Sequence, residues 1–233
     1  MNYAIIAAGE GRRLKEEGIQ EPKPLIKILG VPLIRRLLDI CILNGAATIS
    51  CIINEESSSL YNYLMNLDLP VRLNICVKST PSSLHSLFEL RKWLENIPFV
   101  LMTTDTIFKE TEFSAFLNSC SHSTADGVIA ITDYVDDEKP LYVEFDSETI
   151  IKRYSDSPLS FNYITGGIYY FKKNIFPEAE KMLKLKKERL RNLLKHLADD
   201  GYRMKAFPFS KMIDVDHVTD IAKAEGFIGE EIW

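Results

Sequence analysis

Small, basic and acidic residues gather near the start of the chain in a pattern suited to holding an anion. An apolar run, Tyr3-Ala4-Ile5-Ile6-Ala7, gives way to Ala8-Gly9-Glu10-Gly11-Arg12-Arg13-Leu14 and later to Lys23-Pro24. Glycines directly after a strand let the backbone turn sharply and bring its N–H groups close to a bound anion. Guanidinium and ammonium groups then supply charged donors for phosphate oxygens. Residues 3–24 therefore read as a loop for a triphosphate. Two common phosphate loops do not fit: Leu14 stands where Gly-x-Gly-x-x-Gly needs its third glycine, and no Lys-Ser/Thr follows the last glycine as a P-loop requires. Asp105 follows the apolar run at 98–102. The carboxyl ends of strands are where open α/β sheets place their chemistry.

These residues need a scaffold, and the chain spells one out. Short β-branched runs at 3–7, 47–53, 71–77, 98–102 and 127–132 read as strands. Between them, Leu33, Ile34, Leu37, Leu38 and Cys41 recur at helical spacing, with Pro32 placed to start that helix and Gly45 to close it. Residues 57–66, 84–94 and 113–121 read as further helices. Alternation of this kind predicts an α/β fold with a mostly parallel central sheet and helices on both faces. Residues 141–146 and 149–154 predict a small β-hairpin. Tyr163 to Phe171 reads as a strand whose Gly166 and Gly167 mark a bulge or a close approach. A helix over 177–200, breaking within the charged run 184–189, a strand over 202–208 and a last helix over 217–227 complete the chain. Asp216 or Thr219 stands where it can cap that last helix.

At 233 residues, with 46% hydrophobic and 26% charged content, the chain is sized for one large α/β domain over 1–233. Within it, about 1–132 forms one half and about 133–233 the other. A net charge of −5 argues against a nucleic-acid partner. No apolar run is long enough to span a membrane, and no basic leader precedes the first strand, so a cytoplasmic location is expected. Cys41, Cys51, Cys76 and Cys120 lie far apart and read as small buried hydrophobes rather than zinc ligands. The four histidines form no evident triad.

Gly9, Gly11, Arg13, Leu14, Lys23 and Pro24 resemble the signature of the nucleotidyltransferases that make activated sugars and alcohols, Gly-x-Gly-x-Arg-Leu followed further on by Lys-Pro. Arg12 departs from it, standing where the family usually has Thr or Ser. The resemblance implies a Rossmann-like nucleotidyltransferase fold. It also implies a Mg²⁺-dependent reaction of an NTP with a phosphorylated small-molecule acceptor, giving an NDP-linked product and pyrophosphate. Arg13 and Lys23 would be catalytic, and Ala8, Gly9, Gly11 and Arg12 would cradle the nucleotide. Ser82 and Ser83 fall in the loop that reads the base in this family, though both serve equally well as helix N-caps. Asp105 matches the family's Mg²⁺ ligand, and Ile213-Asp214-Val215-Asp216 its second metal segment, with Asp214 ranked ahead of Asp216.

On the acceptor side the resemblance thins. Val143-Glu144-Phe145-Asp146 is similar to enzymes acting on glucose 1-phosphate, and Thr165, Gly166 and Gly167 match a segment lying under the acceptor. The family's Glu-Lys-Pro after the hairpin is missing; Lys152-Arg153-Tyr154 stands there, with Lys152 or Arg153 available to an acceptor phosphate. The acceptor is thus expected to be a sugar 1-phosphate, with an alcohol phosphate such as phosphocholine joined to CTP as an alternative. A non-catalytic nucleotide-binding domain is the alternative of another class. The base, the acceptor and the oligomeric state are not set by the sequence.

Overall fold

The computed structural model describes residues 1–158 and 162–229. Strand β1 (Asn2–Ala7) runs into the glycine loop and the short helix α1 (Arg12–Glu16). A 3-10 turn (Lys23–Leu25) and the ribbon β2 (Lys27–Ile28) and β3 (Val31–Pro32) lead to α2 (Leu33–Leu43). Then come β4 (Thr48–Ile53), α3 (Ser58–Met65), β5 (Arg72–Val77), α4 (Ser83–Glu89) and α5 (Arg91–Leu94). Next are β6 (Phe99–Thr103), β7 (Thr106–Ile107), α6 (Glu110–His122) and β8 (Gly127–Thr132). The hairpin is β9 (Tyr142–Phe145) and β10 (Ile151–Ser155), followed by β11 (Ile164–Phe171). Last are α7 (Phe176–Lys184), α8 (Leu190–Asp199), β12 (Met204–Phe209), β13 (Ile213–Asp214) and α9 (Val218–Gly229).

Nine of these strands form one sheet. Its trunk runs β5-β4-β1-β6-β11-β8-β12, and all neighbours are parallel except β11, which is antiparallel to both β6 and β8. The hairpin joins the amino end of β11, where Ile164 faces Tyr142. Both faces of the sheet are covered. Leu84, Leu87, Phe176 and Leu193 pack on one, and Ile34, Leu38, Phe113 and Phe116 on the other. Burial on both sides explains why β1, β4 and β8 read as near-continuous apolar runs. All four cysteines are buried and free.

A smaller apolar cluster lies under the glycine loop: Leu14, Ile28, Ile107, Ile213, Val215 and Phe227, among others. It is the platform for the polar residues above it. In an extended segment alternate side chains face opposite ways, so burying Ile213 and Val215 turns Asp214 and Asp216 outward. In the short helix α1 the buried Leu14 anchors the turn that carries Arg13.

Two sequence expectations are adjusted and one is met. Pro32 pairs with Lys27 in the ribbon, and α2 starts one residue later. The break expected within the helix over 177–200 is present, α7 and α8 being parted at 185–189, where Lys186 takes a left-handed backbone (φ 57°). The last helix is capped by Asp220 and Glu17 rather than by Asp216 or Thr219: Asp220 Oδ2 accepts from the backbone N of Asp216 (3.1 Å) and His217 (2.8 Å), and Glu17 Oε2 from that of Val218 (2.6 Å).

Candidate active site

Gly11 opens α1 in the left-handed region (φ 60°), and a β-carbon there would sit 3.1 Å from Cβ of Lys23. The glycine lets the loop lie on the lysine stem. At Gly9 a β-carbon would meet nothing within 4 Å, because its open side faces a cavity. Lys23 is 8% exposed, and its Nζ sits between Asp105 Oδ2 (2.7 Å) and Asp216 Oδ1 (2.5 Å). Burial works against the ammonium's charge, but the two carboxylates outweigh it and raise the Lys23 pKa. Lys23 is therefore a fixed positive charge. Arg13 reaches Asp216 Oδ2 through Nη1 (2.7 Å) and Glu138 Oε2 through Nη2 (2.9 Å). Arg12 turns to Glu10 at the rim (2.6 Å).

Asp105 leaves the end of β6, and Asp214 reaches the same place through the pairing of β13 with β7. Asp214 is opposite Thr106, and the Val215 N–H donates to the Asp105 carbonyl (2.9 Å). Thr106 Oγ1 donates to Asp214 Oδ1 (2.8 Å) and lies 3.0 Å from Thr103 Oγ1. Burial favours the neutral form of Asp105, but Lys23 beside it holds its pKa below the usual carboxylate range. Asp214 opens to the cleft while protein surrounds its base. That setting and the charge of Asp105 push its pKa up. Among the described residues Asp214 has no ion-pair partner. Two adjoining carboxylates, one without a cation, offer the hard oxygen ligands that Mg²⁺ prefers. The donor set fits that ion.

Three connected cavities surround this centre, each within the size range of small-molecule sites. One of about 360 Å³ lies between the glycine loop and Lys23, Asp105 and Asp216. A second, about 370 Å³, extends from Ala8, Gly9 and Arg12 to Asn54, Thr80 and Ser82. The third, about 410 Å³, lies on the far side of Asp105, against Thr165, Gly167, Tyr169 and Asp214. Asp105 lines the first and third, and Ser83 lines all three.

The structure thus brings together Ala8, Gly9, Gly11, Arg12, Arg13, Lys23, Ser82, Ser83, Asp105, Thr165, Gly167, Asp214 and Asp216 around one cleft. Gly166 faces Met212, whose Sδ would lie 2.0 Å from a β-carbon there. Gly167 (φ 75°) has Thr106 Oγ1 at 2.4 Å from the β-carbon position, within a shift of the β11–β8 register. The expected bulge and close approach are both present, and the approach is by the threonines that hold Asp214. Glu144 and Lys152 are not brought to the cavity walls: Glu144 pairs with Arg153 (2.6 Å) and Lys152 with Asp146 (2.7 Å). Positive charge on the third cavity comes instead from Arg189 and Arg191. The sequence shows 184–189 only as a charged run at a helix break and singles out neither arginine. Their signal was a basic pair flanking Leu190, the first residue of α8. Nor does Ser82 or Ser83 cap α4 with its side chain. A trio of Glu178, His196 and Asp200 groups carboxylates and an imidazole elsewhere, between α7 and α8, and lines none of these cavities.

Comparison with known proteins adds to this geometry. The model of the family described as Nucleotidyl transferase matches residues 3–231. Mannose-1-phosphate guanyltransferase of Schizosaccharomyces pombe is 25% identical over 191 residues, which cover 77% of this chain and 52% of that protein. The Drosophila melanogaster mannose-1-phosphate guanylyltransferase catalytic subunit beta is 24% identical over 185 residues, 76% of this chain and 49% of its own. The chain spans about half the length of the curated relatives it matches. Among solved structures, the inositol-1-phosphate CTP transferase of T. maritima superposes with a TM-score of 0.81 at 21% identity, covering 98% of this chain and 96% of that one. A Bacillus anthracis structure reaches 0.86 at 15% identity, covering 97% and 94%. These likenesses establish the same fold.

Proposed function

This chain belongs to the nucleotidyl transferase family, and from that premise we propose that it joins an NTP to a sugar 1-phosphate, releasing pyrophosphate. The observation that carries the proposal is Lys23, held between Asp105 and Asp216 where the cavity of the glycine loop meets the cavity of Thr165 and Gly167. The triphosphate lies along Gly9 and Gly11, with its base toward Asn54 and Thr80. The acceptor lies beyond Asp105, its phosphate toward Lys23 and Arg189. An acceptor phosphate oxygen, already ionised, attacks the α-phosphorus, and the bond to the β-phosphate breaks. No general base is needed, so positioning and charge neutralisation supply the catalysis. Lys23 offsets charge at the α-phosphate, and Arg13 exchanges Glu138 for the departing pyrophosphate.

Asp105 and Asp214 are the pair that would hold Mg²⁺, which would draw charge from the phosphates when bound. Asp216, committed to Arg13 and Lys23, fits better as the residue that orients both cations. The curated relatives make mannose 1-phosphate with GTP the first pair to assay. One observation favours a second acceptor class, the alcohol phosphates. The family's Glu-Lys-Pro is missing, and Glu144 and Lys152 are tied up in ion pairs away from the cavity, so neither stands ready to hold a sugar. A cytoplasmic location goes with this reading, since four buried unpaired thiols suit a reducing compartment.

The test follows the label from the α-phosphate of GTP, CTP, UTP or dTTP, with Mg²⁺, against mannose, glucose and inositol 1-phosphates and phosphocholine. Transfer of label to one acceptor is expected. Label that stays in the nucleotide with every pairing would overturn the proposal.

A further inference from the structure

The loop that walls the nucleotide cavity is tied to the segment that walls the acceptor cavity. Ser83 Oγ accepts from the backbone N of Leu190 (3.1 Å). Ser82 Oγ donates to the Glu188 carbonyl, and the backbone N of Leu84 donates to the same oxygen (3.2 Å). Leu190 is the first residue of α8, so its N–H has no carbonyl partner within its own helix. Ser83, more than a hundred positions away in the chain, supplies one. Arg189 and Arg191 flank the tie and face the acceptor cavity, while Ser83 lines every cavity of the cleft.

We infer that Ser83 is a positioning residue that couples nucleotide and acceptor binding. It acts by fixing the start of α8 and with it Arg189 and Arg191; this inference rests on the nucleotidyltransferase reading of the cleft. A nucleotide seated against Ser82 and Ser83 holds the loop still, and the loop holds the start of α8. Arg189, which has no ion pair among the described residues, is thereby set for an acceptor phosphate before that phosphate arrives. Linkage is reciprocal, so acceptor binding strengthens nucleotide binding by the same factor.

Hydrogen exchange on the full chain tests this with Mg²⁺ and GTP, CTP, UTP or dTTP in turn. The nucleotide that protects residues 8–13 is expected also to slow exchange over 186–192. At a nucleotide concentration that still protects residues 8–13, Ser83→Ala should abolish the second effect, and Ser83→Thr, which retains the acceptor oxygen, should restore it. In steady-state assays at saturating nucleotide, Ser83→Ala should raise the acceptor KM roughly fivefold, the scale of one lost hydrogen bond, and Ser83→Thr should reverse that rise. Protection of 8–13 in the unaltered protein with no response at 186–192 would overturn the coupling and leave the nucleotidyltransferase reading standing. No protection by any nucleotide would overturn both.

Discussion

In the proposed reaction Lys23 is the residue on which the chemistry turns. A buried ammonium with two carboxylate partners cannot move far, so its charge is in place before substrate arrives, and that preorganisation gives such donors their catalytic weight. Lys23→Ala should therefore lower kcat/KM by on the order of 3 kcal/mol, a hundredfold or more, in an acceptor-dependent turnover assay. The same change leaves Asp105 without its cation and Asp216 with Arg13 alone, so thermal stability should fall as well. Gly11 makes a separate prediction. Its left-handed backbone and its 3.1 Å approach to Lys23 mean that Gly11→Ala both strains the loop and pushes the lysine stem. A stability loss of about 1 kcal/mol by urea titration is expected, with a fall in turnover larger than that loss explains.

At the scale of elements, the site depends on short pieces pinned by side chains. β13 is two residues long, and the segment after it is held by Asp220, which gathers the N–H groups of Asp216 and His217. Asp220→Ala should cost about 1–2 kcal/mol, as loss of a helix cap does. It should reduce turnover by releasing Asp216, whereas Asp220→Asn should retain part of both. The hairpin offers a pH test. Asp156, after β10, pairs with Arg191 (2.9 Å) and with Lys195 of α8. Its bond to Lys195 holds its pKa below the ordinary 3.8, against the opposing effect of burial. A depressed carboxylate stabilises above its unfolded pKa and loses that contribution as pH falls through the folded value. The urea midpoint should therefore drop as pH is lowered below 3.8, and this component of the drop should be absent in Asp156→Asn. The pair is half exposed, so at neutral pH the substitution should cost no more than about 1 kcal/mol.

At the scale of the molecule, the sheet and its helices were legible in the sequence because β1, β4, β6 and β8 are buried on both faces and announce themselves as apolar runs. The nucleotide side was legible for a related reason: Gly9, Gly11, Arg13 and Lys23 lie close together in the chain, so their spacing survives as a motif. Asp105, Asp214 and Asp216 could be proposed from resemblance, but that Lys23 pairs with Asp105 and Asp216, while Asp214 has no ion pair among the described residues, is visible only in the structure. The acceptor side was harder to read. Arg189 and Arg191 reach the cavity through a helix break and a hydrogen bond to Ser83, and neither feature leaves a periodic trace. Glu144 lies in a segment similar to the family's and Lys152 where the family's Glu-Lys-Pro is missing, and their side chains are bound to Arg153 and Asp146.

Pyrophosphate release is the most direct measurement of what this cleft does. The four nucleotides are run with Mg²⁺ against sugar 1-phosphates and phosphocholine, with the Lys23→Ala variant alongside. The expected result is release that requires one acceptor, stops when Mg²⁺ is chelated and falls at least about a hundredfold in the variant. Release at an equal rate without any acceptor, or unchanged by Lys23→Ala, would contradict nucleotidyl transfer at this site.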